Sequence, residues 1–244
     1  MSAAADGLLA RRPGLVVLLD PARADAAGGA LLAREAQAAG VSGLLIGSSF
    51  DGVAQTRVLA KSVRDAAPGL PIALFPGSAM QLTDGVDLIL FLSLISGRNP
   101  QYLIEEHVRA VPWLRDHPVQ TLSTAYMLID GGRVTSVEAV SQTRPLPADK
   151  PELAAAHALA GRLIGMNAMY LDAGSGAQQP VGADIIGAVR TAVPAPTPLF
   201  VGGGIRSPEQ AAAARLAGAD FVVVGTVVER GARDLAAFVR AVKG

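Results

Sequence analysis

The sequence contains no cysteine. This absence excludes a disulfide scaffold, a thiolate zinc site and a cysteine nucleophile, and it fits the cytoplasmic location that we expect. An excess of charge of one sign is also missing, because 21 basic residues balance 21 acidic ones. A protein that binds the phosphate backbone of a nucleic acid usually carries an excess of basic residues. We therefore expect no nucleic-acid partner.

Long apolar runs are missing as well, although 50% of the residues are hydrophobic. The longest strongly apolar run, residues 88–95, contains Ser93 and is far shorter than the roughly 20 residues of a membrane-spanning helix. The first run, residues 15–19, ends at Asp20 and is too short for the core of a signal peptide. These runs predict a packed protein with no transmembrane segment.

Eight short apolar runs alternate with longer amphipathic stretches. Each run is bounded by Gly, Pro or Asp, which is typical of a buried parallel strand. The predicted strands are residues 15–19, 43–46, 72–74, 88–92, 121–129, 168–171, 199–201 and 221–224. The predicted helices are residues 28–39, 55–67, 100–114, 151–164, 184–192, 208–217 and 232–242.

This alternation predicts the α/β class and one (β/α)₈ TIM barrel, a single domain over residues 1–244. The alternative is an open doubly wound sheet, which usually has a Gly-x-Gly-x-x-Gly turn after its first strand. No such turn follows residues 15–19. The longest irregular segment is 130–150, and its middle, 133–143, is predicted to form a small hairpin over the barrel mouth. The alternative for that segment is a plain surface excursion.

Barrel enzymes place their active sites at the carboxyl ends of the strands. Glycines follow predicted strand seven at residues 202–204 and predicted strand eight at Gly225. Glycine lets a backbone approach an anion closely, and the loops after these two strands often bind phosphate together. The pattern predicts a phosphate site. The alternative is that these glycines only permit tight turns.

Further residues at predicted strand ends, two aspartates and two serines, have side chains suited to chemistry. Asp172 stands beside a Gly-Ser-Gly loop and is a candidate base, with a turn or capping aspartate as the alternative. Asp20 ends the first strand, and Ser48 or Ser49 follows the second. A carboxylate and a hydroxyl favour Mg²⁺, which prefers oxygen ligands, although Asp-Pro is also an ordinary turn signal.

The three histidines, His107, His117 and His157, show no spacing of metal ligands. Two of them, His107 and His157, fall inside predicted helices, away from the strand ends. We interpret both as surface or packing residues.

Taken together, these motifs resemble the geranylgeranylglyceryl phosphate synthase family, in the branch found in archaea and some bacteria. The matching segments cover nearly the whole predicted barrel. They are residues 19–21, 46–49, 74–78, 91–100, 126–132, 147–152, 170–176, 202–205 and 224–226.

The resemblance implies a Mg²⁺-dependent prenyltransferase. Such an enzyme transfers a polyprenyl group, here expected to be geranylgeranyl, from its diphosphate to the C3 hydroxyl of sn-glycerol 1-phosphate. The products are an ether lipid precursor and diphosphate. By resemblance, Asp20 and Ser49 hold the metal. The family usually has Gly-Gly-Ser where this chain has Gly47, Ser48 and Ser49, so Ser48 offers a second hydroxyl.

The resemblance also assigns a glycerol phosphate site, with Asp172 as the catalytic base. The residues assigned to that site are Tyr170, Leu171, Asp172, Ala173, Gly174, Ser175, Gly176, Gly203, Gly204, Gly225 and Thr226. The prenyl chain needs an apolar groove, for which Leu92, Leu94, Ile95, Tyr126, Met127 and Leu128 are candidates; the alternative for these six is ordinary barrel core.

Two other functions compete with this one. Another phosphate-binding barrel enzyme, of the sugar-phosphate isomerase or indole-glycerol phosphate synthase type, would share the glycines after strands seven and eight. A non-catalytic protein that binds prenyl lipid or glycerol phosphate is the second. The family forms dimers and hexamers, so we expect a homo-oligomer, with a peripheral membrane contact for product release.

Overall fold

The computed structural model describes residues 7–229 and 234–244. Eight parallel strands form a closed barrel in chain order, which confirms the predicted TIM barrel. The strands are β1 (Gly14–Leu19), β2 (Gly43–Ile46), β3 (Ile72–Leu74), β4 (Leu88–Leu94), β5 (Gln120–Leu128), β6 (Ala168–Asp172), β7 (Leu199–Gly202) and β8 (Phe221–Val224). The barrel closes where β1 pairs with β8, with Gly14 opposite Phe221.

Helices connect the strands on the outside of the barrel. They are α1 (Ala26–Ala38), α2 (Val53–Ala66), α3 (Glu106–Asp116), α4 (Ser136–Ser141), α5 (Pro151–Leu163), α6 (Ala183–Ala192), α7 (Pro208–Leu216), α8 (Thr226–Glu229) and α9 (Leu235–Lys243). A 3₁₀ turn spans Ala79–Gln81, and a π-helical turn, Gln101–Glu105, precedes α3. The predicted last helix began at residue 232, and its first two residues lie outside the described part of the chain.

The hairpin predicted over residues 133–143 is wrong, because this segment contains helix α4. After the helix, Leu146 forms a parallel bridge with Ile129 at the end of β5. A hairpin joins antiparallel neighbours, whereas a parallel return needs a crossover connection. Helix α4 supplies that crossover. The side-chain amide of Asn99 donates to the Ser141 carbonyl at 2.9 Å and connects α4 to the loop after β4.

The core has two layers, because side chains alternate along each strand. Outward residues such as Val17 and Leu44 pack against small helix residues, among them Ala33 and Ala36. Inward residues fill the barrel itself. Four aromatic side chains are buried in this inner layer, namely Tyr126, Tyr170, Phe200 and Phe221, and Phe75 and Tyr102 pack against it.

Two equivalent ion pairs brace the amino-terminal end of the barrel. Asp220, just before β8, accepts from Arg190 at 2.6 Å and from the Leu199 amide at 2.9 Å. Asp87, just before β4, accepts from Arg64 at 2.6 Å and from the amide of Ile72 at 2.8 Å. Each aspartate thus joins a helix to two neighbouring strands at the end of the barrel opposite the expected site.

Within the two described ranges, no helix combines the length and the apolar character needed to cross a bilayer.

Candidate active site

An open cavity lies at the carboxyl ends of the strands, with walls from the loops after all eight of them. Its two sides differ in chemistry. Serine, glycine and aspartate dominate the side formed after β6, β7, β8, β1 and β2. Apolar side chains dominate the side formed by β4, α3 and α4, where Phe91, Leu92, Leu94, Ala110, Val137 and Val140 line the wall. The cavity can therefore hold a molecule with one charged end and one hydrocarbon end.

A buried carboxylate, Asp172, lies at the carboxyl end of β6 and lines the cavity. One of its oxygens accepts from the Tyr126 hydroxyl at 2.7 Å, and the other accepts from the Gly174 amide at 2.7 Å. Burial raises the pKa of Asp172 above its ordinary value, and these two hydrogen bonds partly oppose the shift by stabilising the charged form. A carboxylate with a raised pKa inside a cavity is a candidate general base.

Aromatic rings form the floor of the cavity around this carboxylate. The ring of Phe75 stacks on that of Tyr170, with centroids 4.7 Å apart, and meets the edge of Tyr126 at 5.6 Å. Tyr170 in turn stacks on Phe200, and Phe200 stacks on Phe221. Burial raises the pKa of Tyr126 and of Tyr170, and the charge of Asp172 adds to both shifts. Both hydroxyls therefore stay protonated at neutral pH.

Unpaired backbone amides cluster on the polar side of the cavity. In the described part of the chain, several lining residues on this side have amides that donate to no protein acceptor, among them Gly176, Gly203, Gly204, Gly225 and Thr226. The hydroxyls of Ser175 and Thr226 approach to 3.4 Å across the loops after β6 and β8. Clustered amide donors and hydroxyls suit an anion such as phosphate.

The predicted metal residues also lie side by side. The amide of Gly47 donates to the Leu19 carbonyl, so the loop after β2 runs next to Asp20, and Asp20, Ser48 and Ser49 all line the cavity. One oxygen of Asp20 accepts from the Ala22 amide at 2.9 Å, and the other lies 3.5 Å from exposed Arg23.

This donor set fits a magnesium ion that is shared with a substrate. The described residues contain no group of three acidic, histidine or cysteine side chains that could enclose a metal. Mg²⁺ is commonly held by one or two carboxylates, waters and substrate phosphates rather than by a complete protein cage. One carboxylate with neighbouring hydroxyls meets that requirement.

Some residues assigned to these sites lie away from the cavity. Among the glycerol phosphate candidates, Leu171, Ala173 and Gly174 do not line it. Strand alternation points Leu171 toward the helices, and the amide of Gly174 instead supports Asp172. Among the groove candidates, Leu92, Leu94 and Tyr126 line the cavity, whereas Ile95, Met127 and Leu128 do not.

Sequence reasoning missed two lining residues, His107 and Arg206, and one contact, that of Tyr126 with Asp172. His107, interpreted as a surface or packing residue, lines the apolar side and packs edge-on against Phe91 at 4.4 Å; burial lowers its pKa. Arg206, just after the glycines of β7, lines the polar side while its guanidinium donates to the carbonyls of Ala177 and Gln178. Its position in a strand-end loop was the available signal. The contact of Tyr126 with Asp172 had none, since 46 residues separate them.

The model of the PcrB family matches residues 9–242 of this chain. The chain belongs to the PcrB family. A relative called geranylgeranylglyceryl phosphate synthase in Spirosoma linguale is 44% identical over 92% of this chain and 89% of its own length. One of the same name in Korarchaeum cryptofilum is 38% identical over 96% of this chain and 94% of its own length.

A solved structure agrees with the fold. It is the (S)-3-O-geranylgeranylglyceryl phosphate synthase of Thermoplasma acidophilum in complex with sn-glycerol-1-phosphate, with a TM-score of 0.91 and 29% identity. The similarity covers 100% of this chain and 99% of that one. The family resemblance inferred from the motifs is therefore confirmed.

Gly204 and Gly225 of this PcrB protein should respond differently to alanine. Gly204 has a φ of +71°, and a Cβ there would lie 2.7 Å from the Gln179 carbonyl oxygen. Gly225 has no such φ, and its Cβ would meet Leu18 at 3.3 Å or more. We expect Gly204→Ala to lower the free energy of unfolding by about 2 kcal/mol, and Gly225→Ala by much less.

Chemical denaturation of both variants checks this difference. An equal loss of stability in the two variants, or no loss in Gly204→Ala, would contradict it.

Proposed function

We propose that this protein is a geranylgeranylglyceryl phosphate synthase. It transfers a geranylgeranyl group from the diphosphate to the C3 hydroxyl of sn-glycerol 1-phosphate. The observation that carries the proposal is the two-sided cavity in a PcrB-family barrel, with a buried carboxylate between a cluster of amide donors and an apolar wall. A sugar-phosphate enzyme would share the amide donors but has no use for the apolar wall.

The acceptor phosphate binds, in this proposal, to the amides of Gly203, Gly204 and Gly225 and to the hydroxyls of Ser175 and Thr226. Backbone donors and hydroxyls hold an anion without a basic cluster, which accounts for the balanced charge of the chain. A fixed phosphate places the C3 hydroxyl within reach of Asp172 and supplies orientation.

Asp172 then takes the proton of the C3 hydroxyl while the oxygen of that hydroxyl bonds to the allylic carbon of the prenyl donor. The bond between that carbon and the diphosphate oxygen breaks, and the diphosphate leaves with the electron pair. Tyr126 donates to Asp172 and keeps the carboxylate charged and oriented. The apolar wall holds the prenyl chain and excludes water from the allylic carbon.

Asp20, with Ser49 or Ser48, would hold Mg²⁺ at the diphosphate end of the donor. When bound, Mg²⁺ neutralises the charge that develops on the departing diphosphate. Exposed Arg23 lies beside Asp20.

We further propose that the protein works in the cytoplasm as a homo-oligomer that touches the membrane to release its product. Exposed apolar side chains support both contacts. Phe50 lies in the loop after β2 and Met80 in the 3₁₀ turn after β3, and these residues are 77% and 74% exposed. Leu163 and Ile164 are similarly exposed at the end of α5, away from those loops.

The decisive experiment identifies the product. Purified protein is incubated with Mg²⁺, sn-glycerol 1-phosphate and a series of prenyl diphosphates, and products are identified by mass spectrometry. We expect geranylgeranylglyceryl phosphate, and at least a tenfold lower rate with the sn-glycerol 3-phosphate enantiomer, a difference of about 1.4 kcal/mol. Absence of an ether product with every donor would overturn the proposed activity. Equal rates with the two enantiomers would contradict the placement of the glycerol.

Replacement of the proposed metal ligand should separate activity from folding. Asp20→Asn keeps an oxygen that accepts from the Ala22 amide, so we expect an unchanged melting temperature. Turnover should fall by a factor of ten or more because the charged ligand is gone. In the matched control, Asp25→Asn, the changed residue caps α1 through the Gly28 amide, and full activity is expected. Wild-type rates for Asp20→Asn at all Mg²⁺ concentrations would refute the metal role.

The pH dependence of the reaction tests the role of Asp172. A base must be ionised, so activity should be lost as pH falls through the pKa of Asp172. The hydrogen bond from Tyr126 lowers that pKa; without it, the pKa rises. In Tyr126→Phe, we therefore expect the acid limb of kcat/KM to move to higher pH.

The control for this shift is Tyr102→Phe, because Tyr102 lines the apolar side of the same cavity. Its acid limb should coincide with that of the wild type. An acid limb that stays in place in Tyr126→Phe would mean that Asp172 is not the group that titrates.

A further inference from the structure

Gln81 is a buried polar residue beside the cavity that no role described above uses. It is the last residue of the 3₁₀ turn after β3, and only 2% of it is exposed. Its amide nitrogen donates to the carbonyls of Ser48 at 2.9 Å and of Asp51 at 3.0 Å. Its amide oxygen accepts from the Gly77 amide at 2.8 Å. One side chain thus joins the loop after β2 to the loop after β3.

The loop after β2, residues 47–51, has few other attachments. Its first residue, Gly47, donates to Leu19, and the carboxylate of Asp51 accepts from its own neighbour, Gly52. The side chain of Phe50 is exposed. Within the described part of the chain, the hydrogen bonds that reach residues 48–51 from other segments all come from Gln81.

Gln81 itself is held firmly. The carboxylate of Glu106, on α3, accepts from the Ala79 amide at 2.8 Å and from Gln101 at 3.0 Å, so the 3₁₀ turn is fastened to the next helix. The two loops also touch directly: a Cβ at Gly77 would overlap the Ser48 carbonyl oxygen. The loop after β2 is therefore positioned against an anchored surface and not by its own structure.

We infer that Gln81 is a positioning residue for the donor end of the cavity. By fixing the carbonyls of Ser48 and Asp51, it sets where the hydroxyls of Ser48 and Ser49 point, and so where the donor diphosphate and its metal are held. The inference rests on the proposed function. It makes Gln81 specific for the donor, because the amides proposed for the acceptor lie on the loops after β6, β7 and β8, across the cavity.

The test compares the two substrates in Gln81→Met, a variant of similar length that forms none of the three hydrogen bonds. We expect the KM for geranylgeranyl diphosphate to rise by about tenfold, the effect of one or two lost hydrogen bonds. The KM for sn-glycerol 1-phosphate should stay within about twofold of the wild type. Calorimetric titration of geranylgeranyl diphosphate with Mg²⁺, without acceptor, should show the same loss of affinity in the absence of turnover.

Two further variants separate positioning from general stability. Gln81→Glu keeps the shape and the acceptor for Gly77 but turns a carboxylate toward two carbonyl oxygens, so it should weaken donor binding at least as much. Asp220→Ala removes the brace at the opposite end of the barrel; it should lower the melting temperature while both KM values stay unchanged.

Each outcome bears on one claim. If Gln81→Met and Gln81→Glu lower the melting temperature but change both KM values equally, or neither, Gln81 is only structural and the inference is overturned. If the wild-type protein forms no ether product, the proposed function fails first. A donor-selective loss in both variants, with none in Asp220→Ala, supports the inference.

Discussion

The pairing of β1 with β8 is the constraint on which the rest of the molecule depends. Closure places the end of the first strand next to the end of the last, so Asp20 and Thr226 share one cavity although about 200 residues separate them. Because all eight strands are parallel, every carboxyl end opens at the same mouth. The amino-terminal end of the barrel lies opposite the cavity, and there the ion pairs of Asp87 and Asp220 stabilise the fold.

The mouth is built by two different means. On the side of β6 to β8, the chain turns through glycines, and unpaired amides remain to face an anion. On the side of β2 to β5, buried side chains fasten each loop to the next. Gln81 links the loops after β2 and β3, Glu106 links the loop after β3 to α3, and Asn99 links the loop after β4 to α4. A backbone site for the acceptor phosphate and a braced wall for the prenyl diphosphate donor suit the two substrates of the proposed reaction.

Asp172 lies between the phosphate side and the apolar side of the cavity, and its surroundings set its chemistry. A carboxylate that is buried without partners is costly in free energy, and here Tyr126 and Gly174 offset part of that cost with hydrogen bonds. Burial still dominates, so the pKa stays raised. A raised pKa makes the carboxylate a stronger base once ionised. The aromatic rings below it, beginning with Phe75 and Tyr170, provide a rigid support.

By itself, the sequence determined the barrel, its eight strands and the strand ends where Asp20, Asp172 and Gly203 lie. Those features follow from local periodicity and from glycine, proline and aspartate at strand ends. Such signals lie within a single segment and do not depend on contacts with other segments. Only the tertiary structure decided that residues 133–143 include a helix, because that depends on the parallel pairing of Leu146 with Ile129. The same is true of the bond between Tyr126 and Asp172 and of the bonds of Gln81, since strand register and loop packing bring distant residues together.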